Sequence, residues 1–85
     1  MSYVIKLSDT AKENLGSIDR RTAARISRKL EGIKDDPFRF VKRLKGMPLF
    51  SLRIGDYRVI MDIQSNHMLI FVVRVGHRSK VYGRM

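Results

Sequence analysis

The spacing of apolar residues changes along this 85-residue chain and predicts where helices and strands lie. Residues 3–7, YVIKL, are rich in β-branched and aromatic residues, which predicts a strand. Two stretches with helical spacing follow, the first after Ser8 or Asp9 and the second after Asp19, all good N-caps. Pro37 ends the second stretch, because the residue before a proline avoids the helical conformation. We expect two antiparallel helices whose apolar positions are Ala11, Leu15 and Ile18, then Ala23, Ile26, Leu30 and Ile33.

After Gly46 the apolar period becomes two, which predicts strands at about 49–54, 57–63 and 68–75. The last of these is apolar on both faces, as a central strand covered by helices would be. The predicted fold class is α+β, with an N-terminal strand and a helical hairpin packed on an antiparallel sheet of about four strands. The length favours one domain, residues 1–85.

Residues 51–60, SLRIGDYRVI, predict a tight hairpin around Gly55-Asp56. That turn pairs Arg53 directly with Arg58, although like charges facing each other across strands are destabilising. One interpretation is a solvated sheet face with Asp62 as counter-ion to Arg58. The other is a fork of two guanidinium groups that captures a phosphate. The register sends Phe50, Leu52, Ile54, Tyr57, Val59 and Met61 to the core and Ser51, Arg53, Arg58, Ile60 and Asp62 to the opposite face.

Charge changes the picture most among the global properties. Eighteen Lys and Arg residues against eight Asp and Glu give a net charge of +10, nearly all of it from Arg20 onward. Nucleic acid is the commonest partner of such a surface, and a solubilising surface or an acidic protein partner are the alternatives. The chain has no cysteine and no apolar run near the ~20 residues that span a bilayer, so we expect no thiolate metal site and no membrane, and a cytoplasmic location.

The segment GHRSKVY, residues 76–82, adds His77, Arg78, Lys80 and Tyr82 after the last strand. If it folds towards the open sheet face, its cations can stabilise a phosphoryl group, its histidine can move a proton, and its tyrosine can stack on a base. Each residue also has a simpler explanation: an exposed histidine, solvated cations, and a tyrosine that packs on the core.

The segments LKGMPLFSLRIGDYRVIMDI (44–63) and VVRVGHRSKVY (72–82) resemble the RelE family of toxins, within the RelE/ParE superfamily. The order of elements is similar over essentially the whole chain. The resemblance implies a ribosome-dependent messenger-RNA endonuclease that cuts the codon in the ribosomal A site. It further implies that no metal or other cofactor takes part and that an acidic RelB-type antitoxin, encoded beside the toxin, holds it inactive.

The resemblance also assigns roles to residues. Arg58 matches the hairpin arginine that stabilises the transition-state phosphate, Arg78 the tail arginine, and Tyr82 the tail tyrosine that stacks on or orients the nucleotide. Two lysine positions of the family appear here as Ser51 and Arg53. Because arginine stays protonated, His77 is the expected acceptor of the 2′-OH proton.

Further cations are expected to bind RNA backbone without sequence preference. Arg21, Arg25 and Arg28 or Lys29 share one face of the second predicted helix, which could also be merely solvated. The cluster before the hairpin consists of Arg39, Lys42, Arg43 and Lys45. Lys80 is assigned to the same RNA-binding surface.

Three other functions remain open. The ParE branch of the superfamily poisons DNA gyrase and lacks the arginine–tyrosine set. A basic nucleic-acid-binding module would carry no chemistry. A decayed toxin would only bind an antitoxin and, through that complex, operator DNA; Ser51 and the missing lysines are possible signs of such decay.

Overall fold

A computed structural model describes residues 2–81 of the chain. Two helices and five strands form the fold, with short 3₁₀ turns at Pro37–Arg39 and Ser65–His67. No helix within residues 2–81 is long and apolar enough to cross a membrane. In chain order the elements are β1 (Val4–Leu7), α1 (Asp9–Ser17), α2 (Arg20–Gly32), β2 (Lys42–Arg43), β3 (Phe50–Ile54), β4 (Tyr57–Gln64) and β5 (Leu69–His77).

Both helices begin where the capping residues predict. The Ser8 hydroxyl accepts a hydrogen bond from the Ala11 N–H at 3.0 Å, and the Asp19 carboxylate accepts one from the Thr22 N–H at 3.0 Å. The hydrogen bonding of Thr22 to this carboxylate is the main reason why the pKa of Asp19 lies below its ordinary value. Three of the four residues of the predicted second stripe, Ile26, Leu30 and Ile33, are buried, and Ala23 is half-buried.

The α+β fold class is confirmed, with two corrections to the sheet. The sheet has five strands in the order β1-β5-β4-β3-β2, since the short β2 pairs with β3 and adds a strand that its two residues could not predict. The sheet is also mixed, because β1 runs parallel to β5. A long connection separates these two strands, so no tight turn forces them to be antiparallel.

Past the residues that pair with β1, the edge of β5 is hydrogen-bonded by side chains from α1 and its N-cap. The Ser8 hydroxyl donates to the Val73 carbonyl at 2.7 Å, and the Asn14 side-chain oxygen accepts from the Val75 N–H at 3.0 Å. An exposed strand edge would otherwise be open to pairing with another chain. Helix α1 therefore protects the last part of β5.

The main core lies between the helices and one face of the sheet. Leu52, Ile54, Val59 and Met61 are buried in this core, as the hairpin register predicts. Phe50 and Tyr57 from the same predicted face are partly buried against it. The arginine side of the hairpin therefore faces away from the helices.

That second face is only partly open, because the chain after β5 folds towards it, as one interpretation of the sequence allowed. Ile60 and Val81 are buried, yet neither belongs to the helix-side core. The chain after β5 folds back over this face: a Cβ on Gly76 would lie 3.3 Å from the Val81 Cβ, and an Arg74 guanidinium nitrogen donates to the Val81 carbonyl at 3.3 Å. The tail covers one side of the face and leaves the arginine side exposed.

Candidate functional site

The hairpin places Arg53 and Arg58 at directly opposed positions, as its turn residues predict. Gly55 has φ = +59°, a conformation in which glycine meets no steric cost. The Arg58 guanidinium donates to the Tyr57 carbonyl at 3.1 Å and the Gly55 carbonyl at 3.5 Å, so it lies over its own turn. Arg53 is exposed and Arg58 is half-buried.

The interpretation in which Asp62 is the counter-ion of Arg58 is not supported. The Asp62 carboxylate accepts a hydrogen bond from the Gln64 amide at 2.9 Å instead. Across residues 2–81 the one ion pair joins Lys34 to Glu31, away from the hairpin. The guanidinium groups of Arg53 and Arg58 thus have no described carboxylate partner.

A groove of about 420 Å³, here called the arginine groove, runs beside this pair. Its walls hold five cationic side chains, a serine, an aromatic ring and a leucine, and no carboxylate among the described residues. It brings together four of the predicted site residues, Ser51, Lys45, Arg53 and Arg58. The full lining is Phe40, Lys42, Arg43, Leu44, Lys45, Ser51, Arg53 and Arg58.

The short strand β2 explains why these cations converge. Lys42 pairs with Ser51 in the sheet, and the Leu44 N–H donates to the Leu49 carbonyl at 2.9 Å. The chain then reverses at Gly46, whose φ of +77° suits glycine. The basic segment before the hairpin is therefore held along the edge of β3.

His77 lies apart from the arginines, which corrects the expectation that the tail carries it to their face. It is the last residue of β5, pairs with Tyr57, and its ring contacts the Tyr57 ring edge-on, with centroids 5.7 Å apart. Tyr57 packs against the helix-side core, whereas Arg58 pairs with Gly76 on the other face. The His77 side chain is therefore on the helix side of the sheet.

The hydrogen bonds of His77 also bear on its predicted role. Its Nδ1 accepts from the Ser79 N–H at 3.2 Å and lies 2.8 Å from the Ser79 hydroxyl. Because a backbone N–H can only donate, Nδ1 is the acceptor in the hydrogen bond with the Ser79 N–H. This ring nitrogen therefore contacts Ser79, and His77 does not line the arginine groove.

The other predicted tail residues lie beyond the hairpin tip. Arg78 is exposed, and its N–H donates to the Asp56 carbonyl at 2.8 Å, which ties the tail to the Gly55-Asp56 turn. Lys80 is exposed in the turn that follows, and its N–H donates to the His77 carbonyl at 2.9 Å. Tyr82 lies outside the described residues.

A second cationic groove, the helix groove, adjoins the first. It has a volume of about 400 Å³ and is lined by Arg25, Arg28, Lys29, Arg53, Ile54 and Gly55. A guanidinium nitrogen of Arg25 lies 3.1 Å from the position of a Cβ on Gly55, so the Arg25 side chain extends from α2 to the hairpin tip. Arg53 lines both grooves, whereas Arg21 is exposed on α2 and lines neither.

Sequence reasoning missed Phe40 in the arginine groove. The available signal was an aromatic residue between cations in the segment PFRFVKRLK, residues 37–45. Among the described residues, no group of three His, Cys, Asp or Glu side chains is placed to hold a metal ion.

Comparison with known proteins shows which family this chain belongs to. The model of the family described as "ParE toxin of type II toxin-antitoxin system, parDE" matches residues 5–82. The chain is 30% identical to toxin RelG of Mycobacterium tuberculosis, over 99% of this chain and all of that protein. It is 25% identical to mRNA interferase toxin RelE of Escherichia coli, over 96% of this chain and 92% of that protein.

Solved structures share the same fold. The RelBE2 toxin–antitoxin complex of M. tuberculosis contains a chain that superposes with a TM-score of 0.83 at 27% identity, covering 92% of this chain and 100% of that one. The RelE–RelB complex of Pyrococcus horikoshii contains one with a TM-score of 0.79 at 24% identity, covering 95% and 100%. The chain belongs to the ParE toxin family of type II toxin–antitoxin systems and is a RelE-family toxin of a RelBE-type system.

Proposed function

We propose that this toxin is a ribosome-dependent messenger-RNA endonuclease that cleaves codons in the ribosomal A site. The observation that carries the proposal is the arginine groove, where five cations and no described carboxylate surround the Arg53–Arg58 pair. The similarity of the chain to an mRNA interferase supports the same activity. The ribosome would present the codon in the geometry that the reaction requires, so the protein itself needs little acid–base machinery.

The cleavage step is attack of a ribose 2′-oxygen on the adjacent phosphorus. The O2′–P bond forms and the P–O5′ bond breaks, which leaves a 2′,3′-cyclic phosphate and a 5′-hydroxyl group. Water accepts the 2′-OH proton and donates a proton to the departing 5′-oxygen. Negative charge on the non-bridging oxygens rises in the transition state, and fixed guanidinium groups stabilise it. We assign this role to Arg58 and Arg53, with Ser51 and Lys45 binding the substrate backbone from the same groove.

The tail residues take supporting roles in this proposal. The Arg78 backbone is tied to the Gly55-Asp56 turn, and its side chain adds a further cation to the phosphate. Tyr82 keeps its role of stacking on or orienting the nucleotide. Arg21, Arg25 and Lys80 bind ribosomal RNA backbone, together with the helix groove, and this binding should weaken as salt rises.

An acidic RelB-type antitoxin is the proposed partner, since the structural relatives are toxin–antitoxin complexes and the net charge is +10. The antitoxin would cover the arginine groove in the cytoplasm and would connect the toxin to operator DNA. Copurification of a small acidic protein encoded beside the toxin would support this partnership.

The direct test adds purified toxin to ribosomes programmed with a defined messenger RNA. Primer extension should stop within the A-site codon, and the same RNA without ribosomes should be cut far more slowly. The family model is named for ParE, so inhibition of DNA gyrase is the second candidate function. Gyrase inhibition without A-site cleavage would establish it, and the absence of both activities would indicate a decayed, binding-only toxin.

Replacement of His77 separates two roles for this residue. In His77→Asn the amide oxygen can still accept from the Ser79 N–H, because asparagine commonly bonds to a backbone N–H two residues on. Since the ring lies on the helix side, we expect cleavage at pH 7 to fall less than about tenfold, whereas loss of a general base costs roughly 10²-fold or more. A larger loss in a variant with an unchanged melting temperature would restore His77 as the proton acceptor.

A further inference from the structure

Phe40 is an exposed aromatic side chain inside a cationic groove. Its side chain is 43% exposed and it lines the arginine groove together with Arg53 and Arg58. Its position is fixed by the 3₁₀ turn that begins at Pro37, since the Phe40 N–H donates to the Pro37 carbonyl at 3.1 Å. Burial therefore does not explain this ring.

A neighbouring phenylalanine shows what an ordinary packing role looks like. Phe38 is also exposed, but its ring packs edge-on against Phe50 with centroids 5.5 Å apart, and it does not line the arginine groove. The described contact of the Phe40 ring is with a cation, the Lys29 ammonium, 5.3 Å from the ring centroid. This cation–π contact orients a ring that also lines the arginine groove.

The chemistry of the groove indicates which partner fits. RNA carries phosphates and flat bases side by side, and this groove offers guanidinium groups and a flat ring side by side. Stacking on an aromatic residue beside cations is how proteins commonly hold single-stranded nucleic acid. An apolar protein side chain could also use the ring, but the five surrounding cations favour a polyanion.

From this arrangement we infer that Phe40 is a stacking platform for a nucleobase next to the phosphate that Arg53 and Arg58 bind. The inference rests on the proposed function for the identity of that phosphate, the scissile one. Phe40 is thus a positioning residue for one codon base. Tyr82, which has a predicted stacking role, is a separate residue in the tail.

The first test is single-turnover cleavage on programmed ribosomes. Phe40→Ala should slow cleavage at subsaturating toxin by about 10- to 100-fold, the usual effect of removing one base-stacking ring. Phe40→Trp should restore the rate and Phe40→Leu should not, because leucine keeps apolar volume without a flat π face. Phe38→Ala is the matched control and should cleave like the wild type. Equal rates for wild type and Phe40→Ala, or rescue by leucine, would overturn the inference.

Cleavage of messenger RNA that lacks one base distinguishes base stacking by Phe40 from a purely structural role. Messenger RNAs that lack one base at each codon position in turn are cleaved by the wild type and by Phe40→Ala. At one codon position, removal of the base should slow the wild type by the same factor as Phe40→Ala slows cleavage of the intact codon. Removal of that base should not slow Phe40→Ala any further. Additive losses at all three positions would show that Phe40 contacts no base.

Tryptophan fluorescence separates this inference from the proposed function. The chain has no tryptophan, so Phe40→Trp carries a single reporter. If the wild type fails to cleave on ribosomes, the proposed function is wrong. Titration of Phe40→Trp with a single-stranded RNA oligonucleotide then tests whether the ring at position 40 stacks on a base. Quenching by the oligonucleotide but not by its abasic analogue, with no change in Phe38→Trp, supports it. No quenching, or quenching by the antitoxin alone, overturns it.

Discussion

Replacing Arg58 with alanine should lower the rate of A-site cleavage by roughly 10²–10³, the usual cost of losing one transition-state contact to a developing oxyanion. The protein should still fold, because the Arg58 hydrogen bonds are local to its own turn and no described carboxylate depends on it. Removing its repulsion with Arg53 should raise stability by a few tenths to about 1 kcal/mol. Primer extension on programmed ribosomes and thermal melting of the same samples measure both effects.

Two matched variants show whether the effect is specific. Lys12→Ala removes one exposed positive charge from α1, far along the chain from the hairpin, and should cleave at the wild-type rate. Arg58→Lys keeps the charge but loses the planar fork that binds two phosphate oxygens, so its rate should be intermediate. If Arg58→Ala cleaves like the wild type, the paired arginines are a solvated surface and the endonuclease site lies elsewhere.

Replacing Arg78 with alanine should have the next largest effect, also approaching roughly 10²-fold. The hydrogen bond from the Arg78 N–H to the Asp56 carbonyl continues the β4–β5 pairing by one step. Gly76, two residues before Arg78, lies opposite Arg58 in the sheet, so the Arg78 backbone leaves β5 close to the Arg58 position. The backbone hydrogen bond survives the substitution, so the tail should keep its path.

The assay for Arg78→Ala is the same cleavage reaction, with Lys80→Ala as the neighbouring control. Lys80 is assigned to RNA backbone binding, so its removal should weaken toxin binding to the ribosome and leave the rate at saturating toxin unchanged. A loss at saturation in Arg78→Ala but not in Lys80→Ala supports the assignment of Arg78 to the phosphate. Equal behaviour of the two variants would make Arg78 another backbone contact.

The sequence by itself determined the features that depend on neighbouring residues. Ser8 and Asp19 cap the helices because each needs only the N–H three residues ahead. The Gly55-Asp56 turn sets the Arg53–Arg58 pairing because a two-residue turn leaves no other register. The apolar period placed Leu52 and Val59 in the core for the same local reason.

Only the tertiary structure decided which residues join the arginines. Phe40 reaches the groove through the 3₁₀ turn and the short β2 strand, neither of which has a strong sequence pattern. The close approach of Arg25 to Gly55 depends on how α2 packs on the sheet. Such contacts join residues far apart in the chain, and helix or strand periodicity carries no information about them.

The placement of His77 shows how little is needed to change a site. Ile60 pairs with Arg74 and Met61 with Val72, so Val73 is one extra residue in β5. An extra residue in a strand sends every later side chain to the opposite face. Without this bulge the alternation along β5 would place His77 on the same face as Arg53 and Arg58. The sequence determined the elements and the paired arginines, but one bulge in the folded sheet decided that His77 lies on the other side.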